Sequence, residues 1–102
     1  MWPDRRLIEL CGIELPIVQA PMAGAIDWEL VAEAAEAGAL GSLPCAMLNA
    51  EQAREQMRRI RERTKKPINV NFFCHVPPVL SNEREAKWRE RLAPYYRELG
   101  ID

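Results

Sequence analysis

The stretch Pro16-Ile-Val-Gln-Ala-Pro-Met-Ala-Gly24 passes from an apolar strand into a turn that neither a helix nor a sheet can continue. Ile17 and Val18 are β-branched residues, which are typical of a buried strand. Pro21 has no backbone N–H with which to continue a sheet, and Gly24 allows the main chain to approach a ligand closely. The sequence therefore predicts a strand that starts at Pro16 and a turn that runs through Gly24.

The residues after this turn predict a helix from Asp27 to Ala37. Asp27 offers a side-chain oxygen as an N-cap, and Gly38 follows the last helical residue as its C-terminal cap. Between them, apolar residues recur at helical spacing. The resulting unit is a strand, a glycine turn and a helix.

The same strand and helix pattern recurs twice more along the chain. Ala39 to Leu43 predicts a second strand, and Asn49 starts a helix that runs to Lys65. Pro67 to Phe73 predicts a third strand, followed by a helix from Asn82 whose apolar stripe includes Trp88. Within the second helix and just after it, Glu55 with Arg59 and Glu62 with Lys66 have the spacing of favourable ion pairs.

This alternation predicts an α/β fold with a parallel sheet and right-handed crossovers. Three strands leave both sheet edges unpaired and half of the sheet surface uncovered. The pattern therefore favours the first three βα units of a (β/α)8 TIM barrel, which is an incomplete barrel in this chain. Residues 1–102 would form the N-terminal portion of one domain with no second domain. A small doubly wound sheet is the alternative architecture.

Composition narrows the classes of partner and the cellular location. Lys and Arg number 14 against 15 Asp and Glu, so the net charge of −1 favours neither nucleic acid nor a membrane as a partner. The chain has no apolar run long enough to span a bilayer and no signal-like N-terminus, which predicts a cytoplasmic protein. Cys11, Cys45 and Cys74 lack metal-binding spacing, so we expect free thiols and no metal site.

Two amides in the third predicted strand need an explanation. The period of two places Asn69 and Asn71 on one face and Ile68, Val70 and Phe72 on the other. Each unsatisfied polar group in a buried strand costs about 1 to 3 kcal/mol. The two amides are therefore expected to have a polar partner.

Three segments together resemble a known family. Gln19-Ala-Pro-Met-Ala-Gly24, Ala37-Gly-Ala-Leu-Gly41 and Asn69-Val-Asn-Phe-Phe73, in this order and spacing, resemble the first three motifs of the nitronate monooxygenases, formerly called 2-nitropropane dioxygenases. The resemblance implies an FMN-dependent barrel that oxidises alkyl nitronates with O2 and uses no metal. Ala39 stands where many members have a glycine, which is a mild departure.

The resemblance also implies roles for individual residues at the carboxyl ends of the barrel strands. The backbone beside the isoalloxazine ring would come from Ala20, Pro21, Met22, Ala23 and Gly24. The side-chain amides of Asn69 and Asn71 would bind the polar edge or the phosphate arm of the flavin. His75 and Cys45 would lie near the substrate mouth. The catalytic histidine of the family belongs to a later motif, so no residue of this chain is assigned that role. The isolated chain is therefore expected to be inactive. Its unpaired sheet edges are expected to make it self-associate.

Simpler interpretations stand beside these roles. Met22 could fill a gap in the core, Asn71 could satisfy local backbone groups, and His75 could be an ordinary loop residue. At the level of function, one alternative is a non-catalytic remnant or interaction module that pairs through its open sheet edges. A second alternative is a related flavin barrel of the FMN-dependent enoyl-acyl-carrier-protein reductase type, which shares an early Ala-Pro-Met turn.

Overall fold

The computed structural model describes residues 2–101 as two short parallel strands and four helices. In chain order the elements are α1 (Arg6–Cys11), α2 (Trp28–Glu36), β1 (Gly41–Pro44), α3 (Ala50–Arg63), β2 (Ile68–Asn71) and α4 (Asn82–Leu99). The two strands pair in parallel with Leu43 opposite Val70. This arrangement confirms the predicted α/β class and the parallel direction of the sheet.

The first predicted strand, from Pro16, is wrong in extent, because it is reduced to one parallel bridge between Val18 and Leu40. Two backbone hydrogen bonds of 2.9 Å flank this bridge, and in one of them the Gln19 N–H donates to the Leu40 carbonyl. In a regular parallel ladder the Ser42 N–H would next donate to the backbone carbonyl of Gln19. It donates instead to the side-chain Oε1 of Gln19 at 2.9 Å, so the main chain leaves the sheet after a single bridge.

Side-chain caps fix the starts of the longer helices. Asp27 and Asn49 cap α2 and α3 as predicted, and Asn49 forms a reciprocal capping box with Gln52. The cap of α4 is Ser81, whose hydroxyl accepts a backbone N–H of the first turn at 3.3 Å. Asn82 is therefore the first residue of the helix, as predicted, and the cap comes from the residue before it.

Only one of the two predicted helical ion pairs forms. Arg59 Nε lies 2.8 Å from Glu55 Oε1, as expected for this spacing on a helix. The pair of Glu62 with Lys66 is wrong, because Lys66 lies beyond the last residue of α3 and lacks helical geometry. Its ammonium group contacts Glu14 at 2.9 Å instead.

The core lies on one face of the sheet, under α2 and α3. A Cβ atom added to Gly41 would lie 2.2 Å from the Val31 carbonyl oxygen, so the backbone of α2 rests directly on β1. Both helices and both strands contribute to one apolar cluster, in which Ile68 and Val70 of β2 pack against the buried members. Those members are Val31, Leu43, Cys45 and Ile60.

The C-terminal third of the described chain extends away from this core. Helix α4 contains no buried residue, and Trp88 on its apolar stripe is 58% exposed. The accessible surface is 8182 Å², whereas a compact protein of this mass exposes about 5,900 Å². Within residues 2–101 this apolar stripe therefore remains largely exposed. No helix in the described range combines the length and apolar character needed to cross a membrane.

Candidate functional site

The carboxyl ends of the parallel segments meet at one edge of the sheet. β1 ends at Pro44 and β2 ends at Asn71, and the N–H of Cys45 donates to the Asn71 carbonyl at 2.9 Å just beyond these ends. The bridge at Val18 runs in the same direction and leads into the turn from Ala20 to Gly24. The residues that were predicted to lie at the strand ends therefore follow three parallel segments, the Val18 bridge, β1 and β2, which lie side by side.

The turn itself presents unused backbone donors. Within residues 2–101, the N–H groups of Ala20, Met22, Ala23 and Gly24 donate to no protein acceptor. Gly24 has a φ of +77°, a left-handed conformation that glycine adopts without strain. Met22 is 44% exposed, which does not favour the interpretation of its side chain as a core filler. Beside the exposed Met22 side chain, the turn therefore offers backbone donors to a ligand, and Gly24 adds no side chain.

The sheet face opposite the core carries the polar residues. Ser42 is fully buried, and its hydroxyl oxygen accepts a hydrogen bond from Asn69 Nδ2 at 3.2 Å. Ser42 is therefore a partner for one of the two amides that the sequence left unexplained. The Asn71 carboxamide makes no hydrogen bond with any other part of residues 2–101 and is half-buried at the strand end. It is the amide that is free to bind a ligand.

The alternation of β2 holds only as far as the strand does. Ile68 and Val70 pack toward the core, as predicted. Phe72 follows the end of β2 and is 62% exposed, so its predicted place on the same buried face is wrong. The physical reason is that the period of two applies only while the ladder continues.

Cys45 and His75 occupy different surroundings. Cys45 is 3% exposed and belongs to the core cluster, and this burial raises the pKa of its thiol. That position does not favour a role at the substrate mouth. His75 is exposed in the irregular segment after β2, with its ring 5.3 Å from the ring of Phe73. The structure thus leaves His75 accessible and separates it from the core that holds Cys45.

A cleft of about 350 Å³ separates the loop after the glycine turn from the loop after β1. Gln56 of α3 lies on its wall, and its Oε1 accepts a hydrogen bond from the Trp28 N–H at 2.7 Å. This bond joins α3 to the first residue of α2. The contact spans 28 positions, so no local signal in the sequence could have identified it.

The protein-family model described as nitronate monooxygenase matches residues 4–101 of this chain. The chain belongs to the nitronate monooxygenase family. This membership confirms the resemblance of its three motifs.

Curated nitronate monooxygenases support the assignment. The protein of Paraburkholderia phytofirmans is 44% identical over 96 residues, which are 94% of this chain and 26% of the relative. That of Pseudomonas aeruginosa is 41% identical and aligns with 95% of this chain and 28% of its own length. The chain therefore spans about a quarter of the length of these relatives.

Solved structures agree in fold. Nitroalkane oxidase from Streptomyces ansochromogenes matches with a TM-score of 0.69 at 32% identity, over 94% of this chain and 27% of that protein. A mutant of FabK from Thermotoga maritima matches with a TM-score of 0.67 at 33% identity, over 71% of this chain and 24% of that protein. The α/β arrangement described above is thus shared with longer proteins.

The motifs of this family member imply a flavin cofactor, and the groups around the turn have the properties that a flavin requires. A flavin is planar and has a polar edge, so it requires unused hydrogen-bonding groups beside a surface free of bulky side chains. The unpaired N–H groups of residues 22–24 and the free Asn71 carboxamide meet the first requirement. Gly24, which has no side chain, meets the second. The residues present fit the group.

Proposed function

We propose that this chain is the N-terminal portion of an FMN-dependent (β/α)8 barrel that oxidises alkyl nitronates with O2. The observation that carries the proposal is the position of the Ala20–Gly24 turn, whose unused backbone donors lie at the same sheet end as the free Asn71 carboxamide. The match to the nitronate monooxygenase family over residues 4–101 supports nitronate oxidation as the reaction of this site.

The order of the strands supports a barrel over a doubly wound sheet. The Val18 segment, β1 and β2 are neighbours in chain order and all run parallel. Helices α2 and α3 cover the same face of this sheet. A barrel places every helix on its outer side, whereas a doubly wound sheet carries helices on both faces. The polar face with Ser42 and Asn69 would then point into the barrel.

The exposed surface supports a larger domain. Residues 2–101 leave about 2,300 Å² more surface accessible than a compact chain of the same mass. Much of it is the apolar stripe of α4 and the segment after β2. We propose that further βα units cover these surfaces in one domain, and that residues 1–102 alone self-associate and are inactive.

In this proposal the residues of the chain bind and orient the cofactor. When bound, FMN would take electrons from the nitronate and pass them to O2. The backbone N–H groups of residues 22–24 would donate to its polar edge, and Asn71 would donate or accept through its free amide. Asn69 would orient this face through Ser42. His75 would lie at the entrance, where a small nitronate passes.

The test is whether the complete gene product carries FMN. The protein should purify yellow, and the flavin released by heat should co-migrate with FMN and not with FAD in chromatography. A colourless protein that takes up no FMN on incubation would contradict the proposed cofactor. Riboflavin added in parallel serves as a control, because it lacks the phosphate that later strands of the proposed barrel would bind.

The second candidate is an enoyl-acyl-carrier-protein reductase-like activity of a related FMN barrel. The Ala-Pro-Met sequence at residues 20–22 favours it, because such reductases share this turn. The two activities differ in their electron donor. Flavin reduction by a nitronate in the absence of O2 supports the first candidate, and reduction only by a reduced nicotinamide supports the second.

A further inference from the structure

We infer that Gln19 is a positioning residue that fixes the Ala20–Gly24 turn against the sheet through both ends of its carboxamide. The structural part of this inference stands on two hydrogen bonds. Its functional part rests on the proposed flavin site, because the turn would hold the cofactor.

The oxygen of the Gln19 amide replaces a backbone acceptor of the sheet. Ser42 is fully buried, so its N–H must find a partner inside the protein. The regular partner would be the Gln19 backbone carbonyl, but Oε1 of the same residue accepts this bond at 2.9 Å. The main chain is thereby released from the ladder without leaving a buried donor unpaired.

The nitrogen of the same amide holds the released chain. Gln19 Nε2 donates to the carbonyl oxygen of Ala20, the first residue of the turn. One rigid, planar group thus connects the Ser42 N–H of β1 to the Ala20 carbonyl. These two bonds fix the orientation of the Ala20 peptide relative to β1. The backbone N–H groups of residues 22–24 follow this peptide, so their positions depend on the same bonds.

The connection continues into β2. The Ser42 hydroxyl accepts from Asn69, which stands opposite Ser42 in the strand register. Gln19, Ser42 and Asn69 therefore link the three parallel segments across the polar face. A displacement of Gln19 would move the turn relative to Asn71 at the end of β2.

Substitutions of Gln19 separate its two bonds. Gln19→Met keeps a similar length and removes both the acceptor and the donor. Gln19→Glu keeps the acceptor for Ser42 but, ionised at pH 7.5, has no proton to give to Ala20. Gln52→Met is the matched control, because it removes an amide from the exposed capping box of α3, far from the turn in sequence.

The experiment measures amide hydrogen exchange in the complete gene product, with and without added FMN. The reporters are the Ser42 N–H and the N–H groups of Ala25 and Ile26, which donate to the Met22 carbonyl inside the turn. In Gln19→Met, all three should exchange at least tenfold faster while Ile60 in the core is unchanged. In Gln19→Glu, Ser42 should stay protected while Ala25 and Ile26 exchange faster. Gln52→Met should alter none of them.

Unchanged exchange at Ser42 in Gln19→Met, or equal acceleration throughout the core, would overturn the inference. If Gln19→Met does not fold, Gln19→Glu still tests the inference. Exchange of the Ala25 and Ile26 N–H groups at the wild-type rate in Gln19→Glu would overturn the inference. The visible circular dichroism of bound FMN is a separate readout and should change in Gln19→Glu. If the wild type binds no FMN, the proposed function fails, while the exchange data still decide the role of Gln19.

Discussion

Replacing Gly41 by alanine tests whether the backbone of α2 rests directly on β1. The added Cβ would lie 2.2 Å from the Val31 carbonyl oxygen and 2.9 Å from the Val31 carbonyl carbon. The first distance is about 1.2 Å short of the 3.4 Å at which ordinary contact begins. The opposing atoms are helix backbone, which cannot rotate away as a side chain can. Helix α2 must therefore withdraw from the strand.

The cost of this withdrawal follows from what surrounds the contact. Val31 is fully buried and Leu43 is 1% exposed, so a shift of α2 loosens the centre of the core. Overpacking of a well-packed site costs about 1 to 3 kcal/mol. Because a backbone segment must move, we expect Gly41→Ala to lower the free energy of unfolding by about 3 kcal/mol, at the upper end of that range.

Urea unfolding of the complete gene product, followed by far-ultraviolet circular dichroism, measures this loss. Gly100→Ala is the matched control, because it also adds one methyl group, which meets no atom of residues 2–101 within 4 Å. Its φ of +64° should cost about 1 kcal/mol through backbone strain alone. A Gly41→Ala variant no less stable than Gly100→Ala would refute the close packing of α2 on β1.

Three further predictions concern the proposed flavin site and the buried core. Gly24→Val should lower the flavin content of the purified protein, since valine at a φ of +77° strains the turn by about 1 to 3 kcal/mol. An unchanged ratio of flavin to protein absorbance would show that Gly24 is not part of the flavin site. Asn71→Leu should weaken FMN binding by about 1 to 3 kcal/mol in a fluorescence titration, and an unaltered Kd would contradict its role. Cys45 should react with iodoacetamide at least about tenfold more slowly than the exposed Cys74 at pH 7.5, because burial raises the pKa of its thiol and reduces the thiolate fraction. Equal rates in a mass-spectrometric time course would show that Cys45 is accessible.

Features set by neighbouring residues were predictable from the sequence. The caps at Asp27 and Asn49 depend on side chains that reach only two or three positions along the chain. The parallel direction of the sheet follows from the alternation of strands and helices. Local chemistry also identified the turn that ends at Gly24, because Pro and Gly limit the backbone wherever the segment lies.

Features set by distant contacts were not predictable. The early end of the first strand depends on a bond between Gln19 and Ser42, which are 23 positions apart. Lys66 pairs with Glu14, which is 52 positions away, and not with Glu62 as predicted. The stripe of α4 is periodic in the sequence, but periodicity does not specify whether a partner surface lies within the same 102 residues.

Oxygen uptake by the complete, FMN-loaded protein in the presence of an alkyl nitronate measures the proposed activity itself. We expect O2 consumption that requires both the nitronate and FMN. The neutral nitroalkane, added without prior deprotonation, should give a slower rate. No nitronate-dependent uptake by protein that has bound FMN would contradict it.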